Sequence, residues 1–167
     1  TVALFGMPYY TLLPVIARDI LDVGPDGLGL LGAAGGVGAI AGAGIIAAFS
    51  SSRWLRALMF WGGVSTGILL VFFGVSTNFP ASLVIAVGLG LLLQLFYTGA
   101  FTLVQVASPA AIRGRVFGLF MLAMGVSPLG MLLLGVEAEM LSPTIALVIT
   151  GVALSTLLAA VAAAVPE

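Results

Sequence analysis

Gln94, Tyr97, Thr98, Thr102 and Gln105, with Phe101 among them, stand at spacings of three, one, four and three in an otherwise apolar stretch. At about 100° per residue they fall within about 140° of one helix side. Gln, Tyr and Thr together offer donors, acceptors and an aromatic face, the set from which a small-molecule cavity is built. Two uses fit such a stripe at membrane depth: lining a cavity, or hydrogen bonding to a neighbouring helix. The combination of groups favours the cavity. Gln94 is the strongest single candidate, because its amide both donates and accepts. Tyr9, Tyr10 and Thr11, near the start of the chain, are natural partners for the same cavity. Tyr9 and Tyr10 also suit anchoring at a membrane interface.

Other chemistries find no residues. The chain has no Cys and no His, which removes thiol catalysis, disulfide frameworks, zinc sites and histidine bases together. No Ser/His/Asp set, metal cluster or acid pair occurs, so no enzyme, cofactor or metal is expected. Gly27-Leu28-Gly29-Leu30-Leu31-Gly32 matches G-x-G-x-x-G. A dinucleotide site needs a preceding strand and an acid about 20 residues on, and here none follows before Glu137. No acid lies in the middle of any apolar run, so proton coupling would need a titratable group outside this segment.

The elements that must carry the stripe follow from composition. Hydrophobic residues make up 62% of the 167 and charged residues 7%, and mean hydropathy is +1.31. A soluble domain carries about 25% charged residues. Lipid is therefore the solvent and the bilayer the first partner. Apolar runs of membrane length predict helices over 1–17, 28–49, 55–76, 80–106, 115–136 and 143–165. The expected fold is all-α: a polytopic membrane protein with six transmembrane helices. Net charge is −1, which points to no nucleic acid and no polybasic lipid-binding segment. The chain begins at Thr1, already apolar and without a signal peptide, which reads as part of a longer chain.

Charge distribution sets orientation. Arg53 and Arg56 lie in the second break and Arg113 and Arg115 in the fourth, on one side of the membrane. Asp19, Asp22, Asp26, Glu137 and Glu139 fall on the other side, with Arg18 the only base there. Basic loops are retained in the cytoplasm, so these two breaks and both chain ends are expected there.

Small residues form a second pattern. Gly32, Gly35, Gly36, Ala39, Gly42 and Ala43 share one face of the second helix, and Gly32/Gly36 and Gly38/Gly42 have G-x-x-x-G spacing. Gly114, Gly118 and Gly125 share a side of the fifth, where Pro128 predicts a kink. Pro14 is expected to bend or end the first helix. Such faces let helix backbones approach closely; a fixed seam and a sliding one both fit.

These residues resemble a known family. Phe5-Gly6-Met7-Pro8-Tyr9-Tyr10 to Leu12-Leu13-Pro14-Val15, with Ala17-Arg18-Asp19, is similar to the seventh helix of major facilitator superfamily exporters. The nearest branch includes enterobactin-type siderophore exporters and the transmembrane secretion effectors. Gly27 to Gly38 resembles their eighth helix. Pro109 with Arg113-Gly114-Arg115-Val116 resembles the loop before their eleventh, and Ser127-Pro128-Leu129-Gly130 that helix itself. The resemblance spans essentially the whole chain. In one respect the chain departs: the family's G-x-x-x-D-R-x-G-R-R loop reads Gly44 to Arg56 here, lacks the acid, and keeps only Arg53 and Arg56.

The resemblance implies the C-terminal half, helices seven to twelve, of a twelve-helix transporter in the bacterial inner membrane. The first and fourth helices of the half would line a central cavity for a small-molecule substrate. The second and fifth would meet the N-terminal half, through Gly32, Gly36, Gly42, Gly118, Gly125 and Pro128. The expected activity is efflux of small hydrophobic or amphipathic molecules by alternating access. Two rivals from other classes stay open: a membrane scaffold or assembly subunit without a transport cycle, and a channel formed by oligomerisation.

Overall fold

The computed structural model describes residues 5–48, 52–109 and 111–164. Seven helices occur among them: α1 (Tyr9–Asp19), α2 (Pro25–Ala48), α3 (Ser52–Val75), α4 (Phe79–Ala107), α5 (Arg113–Met124), α6 (Ser127–Met140) and α7 (Pro143–Ala164). No strand occurs among the described residues.

Helix starts follow local chemistry. Asn78 caps α4, its side chain accepting the Ala81 N–H at 3.1 Å, and Pro80 sits in the first turn where its missing N–H costs nothing. Ser142 Oγ accepts the Ile145 N–H at 3.2 Å ahead of α7, which opens on Pro143. Between α1 and α2, Asp22 takes φ of 50°, a left-handed conformation that aspartate tolerates better than most residues. The reversal lets the Val23 N–H reach the Ala17 carbonyl at 2.8 Å.

Five stretches are long and apolar enough to cross a membrane: Pro25–Ala48, Ala57–Val75, Phe79–Val106, Arg113–Met140 and Pro143–Val161. The chain is thus a multi-pass helical membrane protein. α1 has 11 residues. At about 1.5 Å per residue it covers roughly half of a 30 Å hydrocarbon core. The first four residues of the predicted first helix lie outside the described residues, as do Ser50 and Ser51 of the second break.

Three local expectations change. α1 runs through Pro14 to Asp19 instead of ending there. Pro128 interrupts its span outright: α5 stops at Met124, Gly125 and Val126 form a turn, and α6 restarts with Pro128 in its first turn. Pro128 has no N–H for the Met124 carbonyl, and its ring presses on that carbonyl. Glu137 and Glu139 belong to the end of α6, not to the following break.

α1 buries Tyr9, Leu12, Leu13, Ile16 and Ala17, one helical face, in a core shared with Leu70 and Phe73 of α3, Leu89 and Leu93 of α4, and Leu147 and Leu154 of α7. Tyr9 meets Phe73 edge-on, ring centroids 6.2 Å apart. Two glycine seams hold the long helices. A Cβ at Gly38 of α2 would strike the Val87 carbonyl of α4, and one at Gly90 of α4 would strike the Gly35 carbonyl of α2. At Gly42 it would lie 2.6 Å from the Leu91 carbonyl oxygen. The second seam joins α3 to α7 at Gly67 and Gly151, where Ser155 Oγ donates to the Val64 carbonyl at 3.2 Å.

Backbone cannot yield to an added side chain as a flexible side chain can. Gly38→Val and Gly90→Val should each destabilise the bundle by at least about 1–3 kcal/mol, the ordinary cost of overpacking. Gly44→Val, where a Cβ meets nothing within 4 Å among the described residues, should leave folded yield unchanged. Thermal unfolding and monodisperse yield in detergent measure both effects.

Candidate substrate-binding site

α4 presents one side to two successive partners. Val87, Gly90, Leu91 and Gln94 share a helix side with Tyr97, Thr98, Phe101 and Thr102 at about 100° per residue. The earlier residues of that side meet the glycines of α2. Tyr97, Thr98 and Phe101 face a cavity of about 280 Å³ between α4 and α5, lined also by Phe120, Met121 and Met124. Gln94 stands at the changeover. Its Cβ lies 3.1 Å from where a Cβ on Gly42 would be, and its Nε2 donates to Thr98 Oγ1 at 2.7 Å.

The cavity wall is aromatic and thioether. Phe101 stands edge-on to Phe117 (centroids 5.2 Å, 82°) and to Phe120 (6.4 Å, 71°), while Phe117 and Phe120 tilt by 35° at 6.2 Å. Tyr97 stands perpendicular to Phe96 at 5.9 Å. Methionine thioethers pack adaptably against rings of varied shape. No charged side chain lines the cavity among the described residues. A bound cation would gain about 0.5–2 kcal/mol from the rings, less than the several kcal/mol of desolvation for an unpaired ion. The site is therefore suited to uncharged, ring-bearing molecules.

The remaining sequence candidates scatter. Tyr9 is buried and Tyr10 is half-exposed beside it, ring centroids 4.2 Å apart. Their hydroxyls lie near Gly35 and Ala86, about 12 Å along α4 from Gln94 at 1.5 Å per residue. Neither lines the cavity; nor does Thr11, whose hydroxyl donates to the Pro8 carbonyl. Thr102 donates to the Thr98 carbonyl at 2.8 Å, and Gln105 is exposed near the end of α4.

Of the residues assigned to an inter-half face, Gly42 packs inward on α4, so that surface loses it. Gly32, Gly36 and Gly118 have open space where a Cβ would stand. Gly125 and Pro128 are exposed at the α5–α6 break. Arg113 is exposed and donates to the Ser108 carbonyl through Nε (3.4 Å) and Nη2 (3.3 Å), and Arg115 is exposed one turn into α5. Arg53 and Arg56 fall at the start of α3, with side chains outside the described residues.

Sequence reasoning missed the α5 wall. Phe117, Phe120, Met121 and Met124 stand at 3-1-3 spacing, one helix face, but among uniformly apolar neighbours that spacing does not separate a cavity wall from lipid contact.

Fold and cavity define a polytopic helical membrane protein with an apolar cavity between helices. A family model described as transmembrane secretion effector, one of the major facilitator families, matches residues 2–167, and the chain belongs to that family. Membership makes transport or efflux across a membrane its general function. No curated protein and no solved structure matches the chain.

The native sequence carries no Cys, so each introduced thiol is the chain's only one. Phe101→Cys, at a site 39% exposed, should react with a small thiol reagent, and Leu89→Cys, at a site of 0%, should not. Mass-spectrometric counting of adducts on the folded protein checks the contrast.

Proposed function

We propose that the chain is the C-terminal six-helix half of a secondary transporter that exports small hydrophobic or amphipathic molecules by alternating access. The observation that carries this reading is the ring-lined cavity beside the Gln94–Thr98 pair, in a member of a secretion family. α1 marks the place of the sixth span. The N-terminal half of the same transporter is the partner of the open small-residue faces at Gly32, Gly36 and Gly118, since none of the three meets a side chain among the described residues. Rocking one half against the other around a central site is the usual cycle for such repeats.

Topology follows from where the cations sit. Arg53, Arg113 and Arg115 stand in the first turns of α3 and α5, and Arg56 just beyond. A positive charge at a helix N-terminus opposes the helix dipole, so these arginines do not serve helix stability. Retention on the cytoplasmic side accounts for them. On the opposite side Arg18 is paired to Asp19, Nε to Oδ1 at 2.6 Å. The bacterial inner membrane, with both chain ends in the cytoplasm, completes the reading.

Position 52 should therefore be labelled from the cytoplasm and position 78 from outside, by an impermeant reagent on single-Cys variants; equal labelling of both from one side would contradict the orientation.

Gln94→Leu in the intact transporter should preserve membrane insertion and folded yield while lowering export per molecule several-fold. Tyr97→Phe should do less, because the ring remains. If Gln94 serves packing alone, Gln94→Leu lowers yield and leaves per-molecule export unchanged. Quantifying yield and export on the same preparations separates the two.

A further inference from the structure

Three threonines in these helices turn the hydroxyl proton back to their own backbone. Thr66 donates to the Gly62 carbonyl, Thr102 to the Thr98 carbonyl and Thr156 to the Val152 carbonyl, each at 2.8 Å. Thr98 differs. Its Oγ1 accepts from Gln94 Nε2 at 2.7 Å, and its own proton meets no acceptor among the described residues. Thr98 also lines the α4–α5 cavity, whose other walls are three aromatic rings and two methionines.

A hydroxyl oxygen that accepts an amide N–H is polarised, and the bond it donates onward strengthens. With Gln94 on one side of the oxygen, the Thr98 proton is turned away from Gln94. The cavity thus combines a ring-binding wall with the oriented Thr98 donor and, among the described residues, no formal charge.

We propose that this cavity takes an uncharged aromatic ring carrying a hydrogen-bond acceptor, such as a carbonyl or ether oxygen. Thr98 donates to that acceptor and Gln94 is the residue that positions the Thr98 proton. The inference rests on the transporter reading for its physiological use and names the substrate class of that site. Among the described residues that line it, an anion would find only neutral hydroxyl donors and a cation no carboxylate. A plain hydrocarbon would leave the Thr98 proton unpaired.

The test is binding to the intact protein in nanodiscs, read against empty nanodiscs so that lipid partition cancels. The probes are 2-acetylnaphthalene, naphthalene and N-methylquinolinium. The ketone should bind about fivefold more tightly than naphthalene, the worth of one neutral hydrogen bond, and the quinolinium most weakly. Thr98→Val should bring the ketone down to the affinity of naphthalene and leave naphthalene unchanged. Thr98→Ser should keep the preference, and Gln94→Leu should shrink it without touching naphthalene binding. Equal affinity for ketone and naphthalene in the native protein overturns the proposal without any variant. So does tighter quinolinium binding, or a Thr98→Val loss shared by both neutral probes. Export measurements on the same ketone separate this from the transporter reading. Thr98-dependent binding without export overturns the transporter and leaves the site. Export without Thr98-dependent preference overturns the site and leaves the transporter.

Discussion

The backbone-to-backbone approach of α2 to α4 at Gly35, Gly38, Gly42 and Gly90 is the contact that fixes the rest of the site. In lipid, apolar side chains gain nothing by leaving the solvent for one another, so helices associate through close packing and polar contacts. Glycines supply the close packing here, and they do so on the same side of α4 that carries Gln94, Tyr97, Thr98 and Phe101. Where the glycines of α2 end, at Gly42, the side of α4 is released. Gln94 stands at that point, packed against α2 on one side and bonded to Thr98 on the other. Rotating α4 by one residue, about 100°, would turn Gln94 away from α2 and Thr98 away from the cavity. The Gly67–Gly151 seam performs the same task for α3 and α7, and leaves α1 to be held by side-chain burial instead.

The fifth span contrasts with this rigidity. α5 has no fully buried residue, and it meets α4 chiefly through Phe101, Phe117 and Phe120. Pro128 then breaks the span at Gly125–Val126, and Ser127 Oγ is buried there with no hydrogen-bond partner among the described residues. One wall of the cavity is therefore fixed by backbone contact and the other rests on aromatic edges. A cavity built that way can change volume by movement of α5 without disturbing the α2–α4 seam.

Much of this was legible in the sequence, for definite reasons. Apolar length and charge-bearing breaks located five membrane-crossing stretches to within a few residues, because lipid tolerates no other pattern. The polar stripe on α4 was legible because Gln and Thr stand out in hydrocarbon. The sixth span was not settled, since α1 has only 11 described helical residues. The α5 wall was not legible either: Phe120, Met121 and Met124 look the same whether they face a cavity or lipid. Nor was the inward role of Gly42, because G-x-x-x-G spacing marks a face that can pack closely without naming its partner. Tyr9 and Tyr10 were grouped with Gln94 by chemistry, whereas the α1–α2 geometry sets them about two helical turns away along α4.

The account depends on the α4–α5 cavity being the space through which the exported molecule passes. Phe101 and Phe117 face each other across its edge, with ring centroids 5.2 Å apart. A Phe101→Cys/Phe117→Cys pair in the intact transporter, oxidised in the membrane, would tie the two walls together. Export measured before oxidation, after it, and after reduction tests the claim most directly. The account predicts that cross-linking lowers export to background and that reduction restores it. Complete cross-linking with export unchanged would contradict it.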